Sequence, residues 1–477
     1  MLCLCCAIVP GAATSGRTVD GERTDAEIDR YVAATMHSAR IPGLALAIVE
    51  SDRIVYLKGY GRADPSGRPV TPQTPFMIGS ITKPFTALAV MQLVDAGRIE
   101  LDAPVQRYIP WFRVADPRAS AQITVRQMLT MTSGLPQSYE TQLWTDRDDG
   151  ALERVVRLLG TTALARRPGA FGYSNANYDT LGLLVQIVSG LSYEAYVRQQ
   201  IFAPLEMRTS FLSQDEAMAH GMASGYRWWF GIPVPATFPF HRAELPAGYI
   251  ISSAEDMGRF LIAQMNGGCY GDRRVLSAEG MTLMHREPAR GTYGIGWESL
   301  RASGHRLIGH DGGTPNFQSS VFFDPDARVG VFVAANVMNA LDTFSSPSGA
   351  SPLDGLTARD MAQRVLALAA DRPVPPPGRG HERLTIVFDL AVLILTGVLV
   401  SLLVRLHRRG RLLVHRGIDG WRELTQRVVM TAVVFFTLPV TLLYLALAVP
   451  AWTVIFFFQP DLGYWLEAVA IVRSSPA

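Results

Sequence analysis

The sequence predicts an α/β (α+β) body, an antiparallel sheet flanked by helices with a helical subdomain, followed by transmembrane α-helices. Three observations carry that expectation. Strand-like runs stand near both ends of residues 25–372 with helical runs between them; apolar stretches of bilayer length lie beyond; and a serine and a lysine three residues apart open an almost wholly apolar helix. A length of 477 residues leaves core size unrestricted, and a net charge of +2 excludes a strongly basic nucleic-acid binder. Hydrophobic residues make up 48% and mean hydropathy is +0.15, too apolar for an ordinary soluble enzyme, so part of the chain belongs in a membrane.

Residues 1–16 form a short apolar run ending in small residues. That is the pattern of a secretory signal peptide, although it lacks a basic start and a plain hydrophobic tail is the alternative. Cys3, Cys5 and Cys6 lie there, which leaves Cys269 alone in the body and no internal disulfide framework. Residues Thr24–Ala39 have helical spacing. Gly43–Glu50 and Arg53–Gly61 are β-rich runs across Ser51-Asp52, a hairpin. Residues 80–300 read mostly as helical runs and Gly/Pro loops. Three more strands follow at His305–Gly313, Phe317–Asp324 and Arg328–Val337, the last two joined by the turn Asp324-Pro325-Asp326-Ala327, and Thr357–Ala370 closes the body as an amphipathic helix. Strands at both ends imply one sheet assembled from the two termini of the body.

Residues 373–380 are a proline-rich linker. Leu384–Val404 would extend about 30 Å as a helix, one bilayer core. In the loop 405–427 seven arginines face only Asp419 and Glu423, so it is cytoplasmic by the positive-inside rule and the body lies outside. A patch binding DNA or lipid headgroups is the other reading of those arginines. Val428–Phe458 is a second span, interrupted by Pro439 and Pro450, and residues 459–477 are a short tail or a truncated third span. The expected location is the cell membrane, multi-pass, with the body extracytoplasmic, in the periplasm or outside the cell.

The chemistry centres on one of two lysines among 44 basic residues. Arg and Lys serve a solvated surface almost equally, so a lysine in so Arg-biased a chain points to a chemical use. Lys83 belongs to Gly79-Ser80-Ile81-Thr82-Lys83, just ahead of the apolar run Phe85–Val94 and the C′ candidate Gly97. Residues i and i+3 share a helix face, so Ser80 and Lys83 meet. A serine hydroxyl needs a base, and burial lowers a lysine pKa toward neutrality. The bland alternative is an N-capping serine beside a snorkelling lysine; an unpaired lysine on a buried helix is costly, which weakens it.

With these residues the chain resembles the serine β-lactamase and penicillin-binding DD-peptidase superfamily, whose motifs are S-x-x-K, a polar middle motif and K-T-G. It looks most like the class C-type branch, which includes family VIII esterases and D-amino-acid peptidases. Tyr173-Ser174-Asn175 matches Y-x-N and His310-Asp311-Gly312 matches H-x-G, with support from Ile123–Pro136, Pro204–Ser210 and Pro246–Phe260. The resemblance implies a β-lactamase-like fold and a serine hydrolase. In it, Ser80 forms an acyl-enzyme and Lys83 with Tyr173 shares the proton work. Asn175 and His310 contact substrate or Lys83, Gly312 belongs to the substrate-binding strand, and the backbone N–H groups of Ser80 and Gly313 form the oxyanion hole. The nine histidines show no H-E-x-x-H or closely paired spacing, so no metal is expected, and no cofactor motif appears; the expected partners are a small-molecule or peptidoglycan-derived substrate and, from the apolar runs, the membrane. Asp311 stands where the family carries a hydroxyl, and its charge, if it faces the site, disfavours a substrate carboxylate. That favours an esterase or amidase over a β-lactamase. A penicillin- or peptidoglycan-sensing domain, acylated without turnover, is the opposing expectation. The aromatic residues Tyr226, Trp228, Trp229, Phe230, Phe238 and Phe240 read as a substrate pocket, a surface on the bilayer, or simple packing.

Overall fold

A computed structural model describes residues 19–136, 148–229, 232–288, 292–302, 304–338 and 358–374, with residues 401 and 405. The expected leader lies outside the described residues, as do the linker from residue 375 on, the spans apart from Ser401, and the basic loop apart from Arg405. Among the described residues no helix is long and apolar enough to cross a membrane. The chain divides into two compact units, one of residues 1–226, 235–338 and 355–378, the other of 227–234, 339–354 and 379–477. In the second unit the described residues are chiefly 227–229 and 232–234, from the neighbouring strands Tyr226–Trp229 and Ile232–Pro235.

The first unit is built on six antiparallel strands: β1 (Gly43–Glu50), β2 (Arg53–Gly61), β3 (Glu298–Ala302), β4 (His305–Thr314), β5 (Phe317–Asp324) and β6 (Val329–Ala335). Their order is β2-β1-β6-β5-β4-β3, so β1 pairs with β6 and the two ends of the body close one sheet, as the strand composition implied. Side chains 44–49 of β1 are fully buried. A strand so placed has both faces covered and reads as a continuous apolar run rather than an alternating one. The β1–β2 hairpin turns at Ser51, which takes φ +57°. The β5–β6 turn is held by Asp324 Oδ1, which accepts from Asp326 N and Ala327 N at 2.9 Å each.

Helices α1 (Val19–Ser38) and α5 (Ala358–Ala369) cover one face. There Lys58 Nζ, on β2, donates to Asp29 of α1 at 2.7 Å. Helix α4 (Ala254–Met265) covers the other face, where Gly258 meets Ile54 and Ala47 and Gly330 meets Leu261. Helices α2 (Thr82–Asp95) and α3 (Asn175–Ser189) form the helical part between the two sets of strands. Every residue of α2 from Thr82 to Met91 is buried, and Gly97, just past its end, takes φ +67° as a C′ residue should. Strand β3 corrects the sequence reading, which left it in a loop. It is five residues, four half-buried and Arg301 exposed, flanked by Gly296 and Gly304, too short and too mixed to show a period. Of the aromatic stretch, Tyr226 and Phe238 are buried packing residues, and the side chains of 228–231 lie outside the described residues.

Register sets the faces. His310 pairs with Val321 and Val321 with Phe332, which lies beside Ala47 on the α4 side. Asp311 pairs with Ser320 and Ser320 with Val333, on the α1/α5 side. Gly309 is tightly packed, since a Cβ there would stand 2.0 Å from Phe322 Cδ1. Gly309→Ala is therefore expected to destabilise the body by about 1–3 kcal/mol. Gly160→Ala, whose Cβ would meet only Arg113 Cβ at 3.9 Å, stays within about 0.5 kcal/mol of the parent. Urea denaturation of both variants checks the contrast.

Candidate active site

The site begins at a glycine that must be a glycine. Gly79 takes φ +54°, and a Cβ there would lie 2.4 Å from Gly313 N. This lets β4 abut the short 3₁₀ turn Gly79–Ile81, which runs directly into α2. Gly312 fits the same seam: its Cβ would stand 1.9 Å from Ile78 O, and Ser319 Oγ donates to that carbonyl at 2.8 Å. Ser80 and Lys83 thus sit at the junction of helix and sheet. Ser80 is half-buried and Lys83 is 0% exposed.

Lys83 Nζ faces three oxygens, Ser80 Oγ at 2.9 Å, Asn175 Oδ1 at 2.9 Å and Ala247 O at 2.7 Å. Each is delivered by a different element. Asn175 is the first residue of α3, whose preceding Ser174 donates to Pro136 O at 2.6 Å. Ala247 belongs to the short helix Leu245–Gly248. That helix is stitched to α2 by Thr86 Oγ1 donating to Pro246 O at 2.7 Å and by Ile250 N donating to Thr82 Oγ1 at 3.1 Å. Tyr173 completes the enclosure, its ring centroid 4.8 Å from Lys83 Nζ. Burial raises the Tyr173 phenol above its ordinary range, while a hydrogen bond with Ser80 pulls it back.

His310 lies on the same face of β4, but both ring nitrogens are engaged. Nδ1 lies 2.6 Å from Asp311 O, so it carries the proton, and Nε2 accepts from Tyr293 OH at 3.1 Å. Burial, then the charge of Lys83, pushes its pKa down to about 3, so the imidazole is neutral. Tyr293 meets Tyr173 edge-on with centroids 6.2 Å apart, and Phe171, 37% exposed, stands 6.2 Å from Tyr293 and forms an aromatic rim.

The structure therefore brings Ser80, Lys83, Tyr173, Asn175 and His310 together, with Gly312 and Gly313 against the Ser80 turn. Asp311 requires a correction. Its carboxylate lies on the α5 face, where it accepts from Arg359 Nη1 and from Ser320 Oγ, each at 2.6 Å. It does not face Ser80, because alternation along β4 sends residue 311 opposite to residue 310. Two participants escaped the sequence. Ala247 acts through a backbone carbonyl, to which only its place in the stretch Pro246–Phe260 pointed, and Tyr293 carries no motif.

A half-exposed serine, a buried lysine and a tyrosine, set between a helical part and an antiparallel sheet, are the architecture of the β-lactamase-like class. The comparisons agree. Residues 28–348 match the family described as Beta-lactamase, and the chain belongs to that family, within the β-lactamase and penicillin-binding-protein superfamily. It is 30% identical over 315 residues to "Protein flp" of Staphylococcus aureus (strain N315), a match that takes in 65% of this chain and 63% of that relative's length. It is also 30% identical over 286 residues to "Penicillin-binding protein 4" of Amycolatopsis lactamdurans, covering 57% of this chain and 74% of that one. Among solved structures it resembles the octameric penicillin-binding protein homologue from Pyrococcus abyssi, with TM-score 0.61, 26% identity and coverage of 73% of this chain and 78% of that one.

Neutral burial of histidine sets a pH dependence. His285 is also pushed down to about 3, by burial and by Arg306. Unfolded histidines titrate near 6.5. Between those values the unfolded chain holds more protons, so stability must fall as pH drops from about 6.5 toward 3. Denaturant melts at pH 7, 6 and 5 should show that loss, with a shallower slope in His285→Gln. An unchanged slope in both His285→Gln and His310→Gln would remove the assignment.

Proposed function

We propose that this chain is a membrane-anchored, extracytoplasmic serine hydrolase of the class C-type branch, acting through an acyl-enzyme at Ser80 on a neutral ester or amide. The observation that carries the reading is the set of acceptors around Lys83. Asn175 Oδ1 and Ala247 O can only accept hydrogen bonds. A neutral amine has two N–H donors and one lone pair. Directing both donors at those carbonyls turns the lone pair to Ser80 Oγ, whose proton then points at Lys83. After proton transfer the ammonium donates to all three oxygens. Both ends of the transfer are satisfied without rearrangement, which is what a general base requires.

In the proposed cycle Ser80 Oγ adds to the carbonyl carbon as its proton passes to Lys83. The negative charge that develops on the carbonyl oxygen is met by the backbone N–H groups of Ser80 and Gly313. Tyr173, in contact with Ser80 and Lys83, relays a proton to the departing alcohol or amine. Water, deprotonated by the same groups, then releases the acid and restores Ser80. The preference for a neutral substrate follows from His310, which stands where the family carries a cation and is uncharged here. The location follows from the apolar runs 384–404 and 428–458 and the arginine-rich loop between them.

The test uses the full chain in detergent or nanodiscs, with a p-nitrophenyl ester and a chromogenic cephalosporin, following burst and steady state. Ser80→Ala should abolish both phases on the ester. Lys83→Met should lower kcat by about 10²–10⁴-fold, and Tyr173→Phe by less. A burst that never turns over would convert the reading to an acylated sensor. Hydrolysis that survives Ser80→Ala would end it.

A further inference from the structure

A guanidinium stands behind the substrate-facing strand rather than in the site. Arg359, in the first turn of α5, reaches Asp311 Oδ2 at 2.6 Å and Glu298 Oε2 at 3.4 Å, and lies over the Phe322 ring at 5.5 Å. Both carboxylates come from the end of the β3–β4 pair: Glu298 is opposite Gly309, and the pairing stops there. Among the described residues, positions 310–314 therefore have no strand on that side. Asp311 and Arg359 stand at this open edge, their side chains 33% and 25% exposed. The triad is felt across the strand. The charge of Arg359 acts on His310, and those of Asp311 and Glu298 act on Tyr173.

We propose that the Asp311–Arg359 ion pair is a charge filter: by holding the guanidinium to the rear of β4, it denies that cation to a carboxylate-bearing substrate at the open edge. This rests on the serine-hydrolase reading and names its substrate class as uncharged near the scissile bond. The pair is mutually neutralising, so Asp311 does not act by repelling anions from inside the site. Its effect is to occupy Arg359. Ser320, which donates to the same carboxylate at 2.6 Å, fixes Asp311 in the posture that does so.

The experiment compares two esters of equal acyl length, p-nitrophenyl pentanoate and mono-p-nitrophenyl glutarate, in the full chain. Asp311→Asn keeps the shape and the Ser320 contact but loses the charge that holds Arg359. It should raise the glutarate-to-pentanoate ratio of kcat/KM about tenfold, with pentanoate within about threefold of the parent. Asp311→Asn with Arg359→Met should return the ratio to the parent value. Asp311→Thr serves as a second route if the asparagine variant melts below the assay temperature. A rise that persists without Arg359 overturns the proposal, since loss of negative charge alone would explain it. An equal fall on both esters also overturns it, because the pair would then only position the strand, and so does an unchanged ratio. If the unaltered chain shows no Ser80-dependent hydrolysis of pentanoate, the parent reading has failed instead.

Discussion

The site depends on keeping one amine, Lys83 Nζ, out of water. A buried ammonium without partners is prohibitively costly, and a buried neutral amine still needs acceptors for its N–H groups. The chain meets that demand with one oxygen from the adjoining turn, at residue 80, and two from distant segments, at residues 175 and 247. Each must hold its position to a few tenths of an ångström, and the surrounding bonds exist to do that. Thr82 and Thr86 on α2 spend their hydroxyls on the Pro246–Ile250 segment rather than on their own helix. Tyr193 OH, 2.6 Å from Thr86 Oγ1, backs them from a further helix. The apolar character of α2 from Ala87 to Met91 follows from the same constraint, because that part of the helix is buried throughout.

The second requirement is that a sheet edge come within bonding distance of a helix N-terminus. Side chains at the seam would prevent it. Glycine at 79 and 312 removes them, and Ser319 supplies the hydrogen bond that locks the contact. A Cβ at either glycine would push β4 away from the Ser80 turn and separate Gly313 N from the place where a carbonyl oxygen would develop charge. Packing and chemistry are therefore one constraint at this junction.

That division explains what was readable in advance. Strands β1, β2 and β5 end where the sequence places their ends, because each is rich in β-branched, aromatic or other apolar residues and is stopped by residues suited to turns. The Ser80–Lys83 pair was legible because it is local: three residues on one helix need no knowledge of the fold. Tyr173, Asn175 and His310 were legible only as an ordered set of motifs. The Ala247 carbonyl was not, since every residue has one and only tertiary packing selects it. The direction of Asp311 was left open for a different reason. Whether a strand residue faces a site is decided by parity, and a one-residue ambiguity in register reverses the answer. The sequence displays the charge of Asp311 but not the direction in which β4 aims it.

Parity also lets one strand serve two electrical environments. His310 and Gly312 face the helical part, where the imidazole is neutral and closed off by Tyr293 and its own chain. Asp311 faces α5, among the charges of Arg359 and Glu298. Burial raises Glu298 to about 7, with Asp311 adding to the rise and Arg359 opposing it, so the rear cluster gains negative charge as pH passes through neutrality. In the proposed cycle Lys83, on the front, becomes positive when it takes the serine proton. Negative charge placed behind the strand, rather than beside the lysine, can favour that ammonium through the sheet without offering it a competing acceptor. A carboxylate on the front face would fix Lys83 as an ion pair and remove its lone pair from use. Holding the acids on the far side of β4 leaves carbonyl oxygens as the lysine's fixed partners, and the serine hydroxyl as the group with a proton to give it.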